Sequence, residues 1–137
     1  MAKYFAPLPA PGDIVWCLFP EVVGQPGPKP RPALVLAVAP EFKAITVAYG
    51  TSQKTDRVYP TEFVIDPDDA NFSQTGLSVR TKFDMNNQVK IPFNSDWVAK
   101  APSSQPNLPL PKLGVLPANY VKAARDAAGK RPLAEKP

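Results

Sequence analysis

Lys29-Pro30-Arg31-Pro32-Ala33-Leu34-Val35-Leu36-Ala37-Val38 runs out, Pro40-Glu41-Phe42-Lys43 turns, and Ile45-Thr46-Val47-Ala48-Tyr49-Gly50-Thr51-Ser52 returns. Both legs are strand-length, partly β-branched, and bounded by Pro and Gly, so the stretch reads as an antiparallel hairpin. Facing residues in such a hairpin have positions of constant sum. A turn centred between Glu41 and Phe42 therefore sets Arg31 opposite Ser52, with Thr51 and Gln53 beside it. A guanidinium and two hydroxyls at the open end of a hairpin form a grip for a phosphate. A plain alternative stands next to it. Strand-end arginines are mostly solvated, and Thr-Ser after Gly is an ordinary way to leave a strand.

Working outward, Asp13 to Phe19 precede this hairpin and are apolar on both faces, as in a central strand. Trp16 lies within it; burial statistics favour the core for this side chain over stacking on a base. Residues 1–11, rich in Pro and Ala, read as a surface arm. Glu21 to Pro30 hold two Gly and three Pro, which excludes regular structure.

Downstream, Gln53 to Pro60 is a polar loop carrying Lys54 and Arg57, and Thr61 to Ile65 a short strand. Asp66-Pro67-Asp68-Asp69 follows; its spacing fits turn chemistry and no calcium loop. Leu77 to Met85 alternates, with Leu77, Val79, Thr81, Phe83 and Met85 on one face and Ser78, Arg80, Lys82 and Asp84 on the other. Asn86-Asn87 is expected to turn the chain, and Gln88 to Phe93 to return as a second hairpin leg. Trp97 is expected to cover the end of the fold. Residues 101–112 read as a Pro-rich extended connection and about 117–128 as a helix, with Pro117 in its first turn, Gly129 past its end, and Tyr120, Val121, Ala124 and Ala128 on its inner face. Residues 129–137 form a tail.

Composition bounds the class. The chain has 137 residues, enough for one domain with a real core, and 19 prolines, which argue against a helical bundle. It has one cysteine, so no intrachain disulfide, a pattern suited to a reducing cytoplasm. It has no histidine, which removes the commonest general acid–base group and the usual zinc ligand; no metal or other cofactor is expected. No stretch has the length and hydropathy of a membrane span. The net charge of +4 divides into −2 over residues 1–70 and +6 over residues 71–137. A basic half fits a polyanion, single-stranded RNA among them, and equally a solvated surface.

The ordered set GDIVWCLFPE, a loop, KPRPALVLAV, then VAYGTSQ resembles the opening half of the PemK/MazF toxins, and GLSVRTKFDM and LGVLP with its helix resemble later parts. That resemblance spans about residues 12–128. It implies a mainly β fold, a small SH3-like antiparallel barrel (CcdB/MazF-like) with a C-terminal helix, and a homodimer. It implies a sequence-selective endoribonuclease that needs no metal and acts as the growth-inhibiting toxin of a type II pair, with a cognate antitoxin as partner. In such an enzyme the RNA 2′-hydroxyl attacks the adjacent phosphate. Arg31, Thr51 and Ser52 would steady the transition state, Asp84 or Glu21 would take the proton, and Gln53, Lys54, Arg80 and Lys82 would hold RNA. A catalytically silent barrel that binds RNA or a protein partner is the alternative. A gyrase poison of the CcdB kind fits less well: those act through an aromatic-containing tip of the C-terminal helix, and this chain ends in Arg131-Pro132-Leu133-Ala134-Glu135-Lys136-Pro137.

Overall fold

A computed structural model describes residues 2–101 and 111–132. The hairpin is its centre. Strand β2 (Arg31–Ala39) pairs antiparallel with β3 (Ala44–Thr51) across a 3-10 turn at Pro40–Phe42. Lys43 closes that turn in the left-handed region, with φ of 50°. Next to the turn the register is the expected one, Ala39 opposite Ala44 and Ala37 opposite Thr46. A bulge between Val35 and Ala37 then shifts it by one, giving Val35 opposite Val47 and Ala33 opposite Tyr49. Continued outward, this register sets Arg31 opposite Thr51 rather than Ser52. A bulge adds one residue to one strand only, so every pair beyond it slips.

The other strands extend the hairpin on both sides. β1 (Asp13–Cys17), β4 (Glu62–Ile65), β5 (Thr81–Pro92) and β6 (Lys112–Val115) complete a sheet of order β4-β5-β3-β2-β1-β6. All pairings are antiparallel, and the sheet curls into a half-barrel with β4 and β6 as its edges.

The expected second hairpin is absent. Thr81 to Pro92 is one strand, and Asn86-Asn87 lies inside it. β3 explains this, because it pairs with both halves of β5: Ala44–Ala48 with Pro92–Gln88, and Tyr49–Thr51 with Asp84–Lys82. The intervening residues bulge out, so an Asn-Asn pair that resembles a turn bends a strand instead. Leu77 to Arg80 lie before the strand, and Val79 is exposed. β6 begins at the last residue of the expected 101–112 connection and is a paired strand; residues 102–110 of that connection lie outside the described residues, as do 133–137 of the tail.

Alternation along these strands builds a core on each face. Val15, Cys17, Ala33, Val35, Val47 and Ile91 face one way, covered by Phe5 and Leu8 of the N-terminal segment and by Trp97. Phe5 packs edge-on against Phe93 at 5.9 Å, so the arm is docked on the sheet. Ile14, Leu34, Ala48, Phe63, Ile65 and Phe83 face the other way. The C-terminal helix α1 (Val121–Gly129), entered through a 3-10 turn at Ala118–Tyr120, covers them with buried Ala124 and Ala127, flanked by Tyr120, Ala123 and Ala128. Ala127 takes the inward place expected of Val121. Among the described residues no helix is long and apolar enough to cross a membrane.

Candidate active site

The site forms where β2 and β3 end. Pro30 and Pro32 flank Arg31 and fix its approach to the strand, because each proline locks its own φ. Gly50 lets the two strands come together there. A Cβ at this position would meet the Pro32 carbonyl oxygen at 2.4 Å and the Phe83 ring at 2.7 Å.

Two clefts meet at this end. The first, of about 400 Å³, is lined by Trp16, Arg31, Thr51, Ser52, the Gly76–Val79 segment and Leu113. The second, of about 620 Å³, is lined by Phe19, Glu21, Arg31, Tyr49, Asn87 and Gln88. Arg31 borders both. Its guanidinium lies 6.0 Å from the centroid of the Tyr49 ring, and that ring packs on Phe19 at 5.1 Å. Among the described residues no carboxylate forms an ion pair with Arg31. Thr51 is buried, and its hydroxyl oxygen accepts a bond of 3.0 Å from the Gln53 backbone N–H, which leaves the hydroxyl proton to donate elsewhere. Ser52 is exposed at the rim.

Trp16 corrects the sequence expectation. It is half-buried and lines the first cleft. Its backbone is held on both sides: its N–H donates to the Pro111 carbonyl at 2.7 Å, and its carbonyl accepts from Ala99 N–H at 2.9 Å. A run of apolar residues hid this position, because the strand turns its last even-numbered side chain past the end of the core.

The remaining candidates lie apart. Asp84 sits opposite Tyr49 in the ladder but lines neither cleft. Its Oδ1 accepts from the Thr61 hydroxyl at 3.0 Å and the Asn86 N–H at 2.9 Å. Arg80 forms a half-exposed ion pair with Asp66 at 2.9 Å. Lys82, expected to hold RNA, is buried: its side chain is 7% exposed and pairs with Glu62, itself 10% exposed, at 2.9 Å. The reason is β4, which lies against β5 and brings Glu62 to it from a different strand. Gln53 and Lys54 are exposed on the loop just outside the first cleft, Lys54 in the left-handed region at φ 53°. Glu21, on the loop between β1 and β2, shares the second cleft with Arg31. That loop is anchored by Gly27, whose N–H donates to the Leu18 carbonyl at 2.9 Å, and its tip carries Val23, 98% exposed. Cys17, buried beside the site, has its thiol pushed up to about 12 by desolvation, which keeps it neutral and unreactive. Among the described residues no three His, Cys, Asp or Glu side chains are grouped to hold a metal.

Residues 10–91, more than half the chain, match the PemK-like, MazF-like toxins of type II toxin–antitoxin systems. The chain belongs to that family. The PemK/MazF match begins just before β1 and ends within β5, so it takes in Trp16, Arg31, Thr51 and Ser52. Two solved structures share the fold of this chain. One is a mycobacterial endoribonuclease in complex with its cognate antitoxin, at 14% identity and a TM-score of 0.57 over 94% of this chain and 99% of that one. The other is a mycobacterial endoribonuclease at 13% identity and a TM-score of 0.55, covering 91% of each chain. No curated protein matches the sequence.

Proposed function

We propose that this PemK/MazF-family protein is an endoribonuclease that cleaves single-stranded RNA without a metal and serves as the growth-inhibiting toxin of a type II pair. Its partners are then RNA, a cognate antitoxin and a second copy of the chain in a homodimer, and its site of action is the cytoplasm. The observation that carries the reading is the meeting of Arg31, Thr51, Ser52 and Trp16 in one cleft.

The chemistry follows from the groups. The RNA 2′-oxygen attacks the adjacent phosphorus, the bond from phosphorus to the 5′-oxygen breaks, and a cyclic phosphate and a 5′-hydroxyl result. The protein has to stabilise added negative charge on the non-bridging oxygens and move two protons. Arg31 offers a planar, permanently charged donor fork for that charge. Thr51 and Ser52 donate hydroxyl protons to the same oxygens. Preorganised donors of this kind are worth about 10²–10³ in rate each. Trp16 presents a ring on which an unpaired base stacks, since duplex RNA hides its base edges in a groove side chains cannot enter. Glu21 is the carboxylate nearest to this role as base, because it shares the second cleft with Arg31. Asp84 is not assigned that role, because it lines neither cleft.

Incubation of the purified protein with long single-stranded RNA in EDTA tests the reading. Discrete cuts at a repeated short sequence are expected. RNA retardation without cuts overturns it in favour of a silent RNA-binding barrel.

A further inference from the structure

The loop that follows Ser52 carries Lys54, Arg57 and Tyr59 on the protein surface. It is tied from beneath by one buried cation. The Lys82 ammonium donates to the Arg57 carbonyl at 2.8 Å and to Glu62 Oε1 at 2.9 Å. The same Glu62 oxygen accepts from the Tyr59 N–H at 2.9 Å, and the Glu62 N–H donates to the Tyr59 carbonyl at 2.9 Å. The ammonium also lies 5.6 Å from the centroid of the Tyr59 ring. On its other side Lys82 is the ladder partner of Thr51.

Lysine is almost never buried unless paired. Such pairs are also poor sources of stability, because desolvation of both ions offsets their attraction and apolar replacements are often neutral. What this pair supplies is geometry. It fixes the carbonyl of Arg57 to β5 and the amide of Tyr59 to β4, and β5 is the ladder neighbour of Thr51, so drift of the loop away from the hydroxyl pair at its start is opposed.

We propose that Lys82 is a positioning residue: through Glu62, Arg57 and Tyr59 it clamps the loop after Ser52 and thereby holds Thr51 and Ser52 in the geometry that the first cleft needs. The inference rests on the ribonuclease reading for its catalytic arm and on the loop alone for its second arm.

The test uses the full chain with Lys82→Met and Glu62→Gln together, which removes the charge pair and keeps an acceptor for the Tyr59 N–H. Two readouts are taken, tryptic nicking after Arg57 and steady-state cleavage of an RNA oligonucleotide. Nicking is expected to rise by about tenfold or more, because native proteolysis follows local opening. The kcat is expected to fall by about tenfold or more with KM within about threefold, as for a small misplacement of catalytic groups. Lys82→Arg, which keeps the charge and the donors, is expected to recover most of both. Faster nicking with an unchanged kcat overturns the proposal, since the clamp is then structural only; so does unchanged nicking. If the double variant does not fold, Glu62→Gln alone is judged by the same two readouts, with changes in the same directions. If the parental protein leaves RNA intact, the ribonuclease reading fails, and nicking decides the clamp by itself.

Discussion

The Arg31 guanidinium lies over the ring of Tyr49, 6.0 Å from its centroid, and so stands on the ridge between two clefts. A cation over a ring face is attracted by it, and among the described residues no carboxylate pairs with Arg31.

Arg31→Ala is expected to lower RNA cleavage by about 10²–10³ or more, because a charge aimed at the phosphorane acts mainly in the transition state. Stability should fall by less than about 1 kcal/mol, since no core cavity opens. Arg31→Lys should restore little, as a point charge does not replace a bidentate fork. Cleavage assays and denaturant titrations of the three proteins check this; parental cleavage by Arg31→Ala would remove the residue from the site.

Gly50→Ala should destabilise the fold by about 1–3 kcal/mol, the usual cost of forcing extra volume into a packed position. The contact at issue is with the Pro32 backbone oxygen, which has no rotamer to yield. The shift in urea midpoint measures it. An unshifted midpoint would mean that β2 and β3 separate freely at their ends, and the grip of Arg31 and Thr51 would then be loose.

Trp16→Ala should raise KM for RNA about 5- to 150-fold, from the roughly 1–3 kcal/mol of a base–aromatic stack, with Trp16→Phe between it and the parent. Tryptophan fluorescence of the parent should change on RNA addition, and that change should survive Trp97→Phe, because Trp97 packs on the opposite core. Loss of the signal in Trp97→Phe would place the base elsewhere.

Salt dependence should be shallow. Of the four cations proposed to meet RNA, Lys82 is engaged with Glu62 and Arg80 with Asp66, which leaves Arg31 and Lys54. With two phosphates neutralised, the slope of log K against log salt is expected near −1.4. A slope steeper than about −3 would call for phosphate contacts beyond these two.

Alkaline stability follows from Cys17. Its pKa is about 12 in the folded protein against 9.0 for the unperturbed thiol. The folded state thus keeps a proton that the unfolded chain loses. The contribution is complete below pH 9 and is lost as pH rises from there toward 12, with a slope of up to about 1.4 kcal/mol per pH unit. Cys17→Ala should remove that part of the decline, seen by urea titration at pH 8 and pH 10.

The hairpin of β2 and β3 was legible because Pro and Gly bound it and its turn is local. The pairing of Arg31 was displaced by a bulge at Leu36, a position where Val-Leu-Ala carries no turn residue to reveal it. Asn86-Asn87 misled for the opposite reason, since it carries a turn signal and β3 overrides it by pairing with both halves of β5. Trp16 and Lys82 depended on long-range neighbours. Trp16 stands in a cleft because Leu113 and Gly76–Val79 reach it, and Lys82 is buried because Glu62 meets it from β4. Neither neighbour is close in sequence.

β1 and β6 pair across a hundred positions, Ile14 with Gly114. On a ribosome adding about 5–20 residues per second, the strand that bears Leu113 follows the strand that bears Trp16 by roughly 5–20 seconds. Throughout that interval the first cleft has one wall missing. A nascent chain that already displays Arg31 and its two hydroxyls thus lacks the Leu113 wall of that cleft until β6 is delivered.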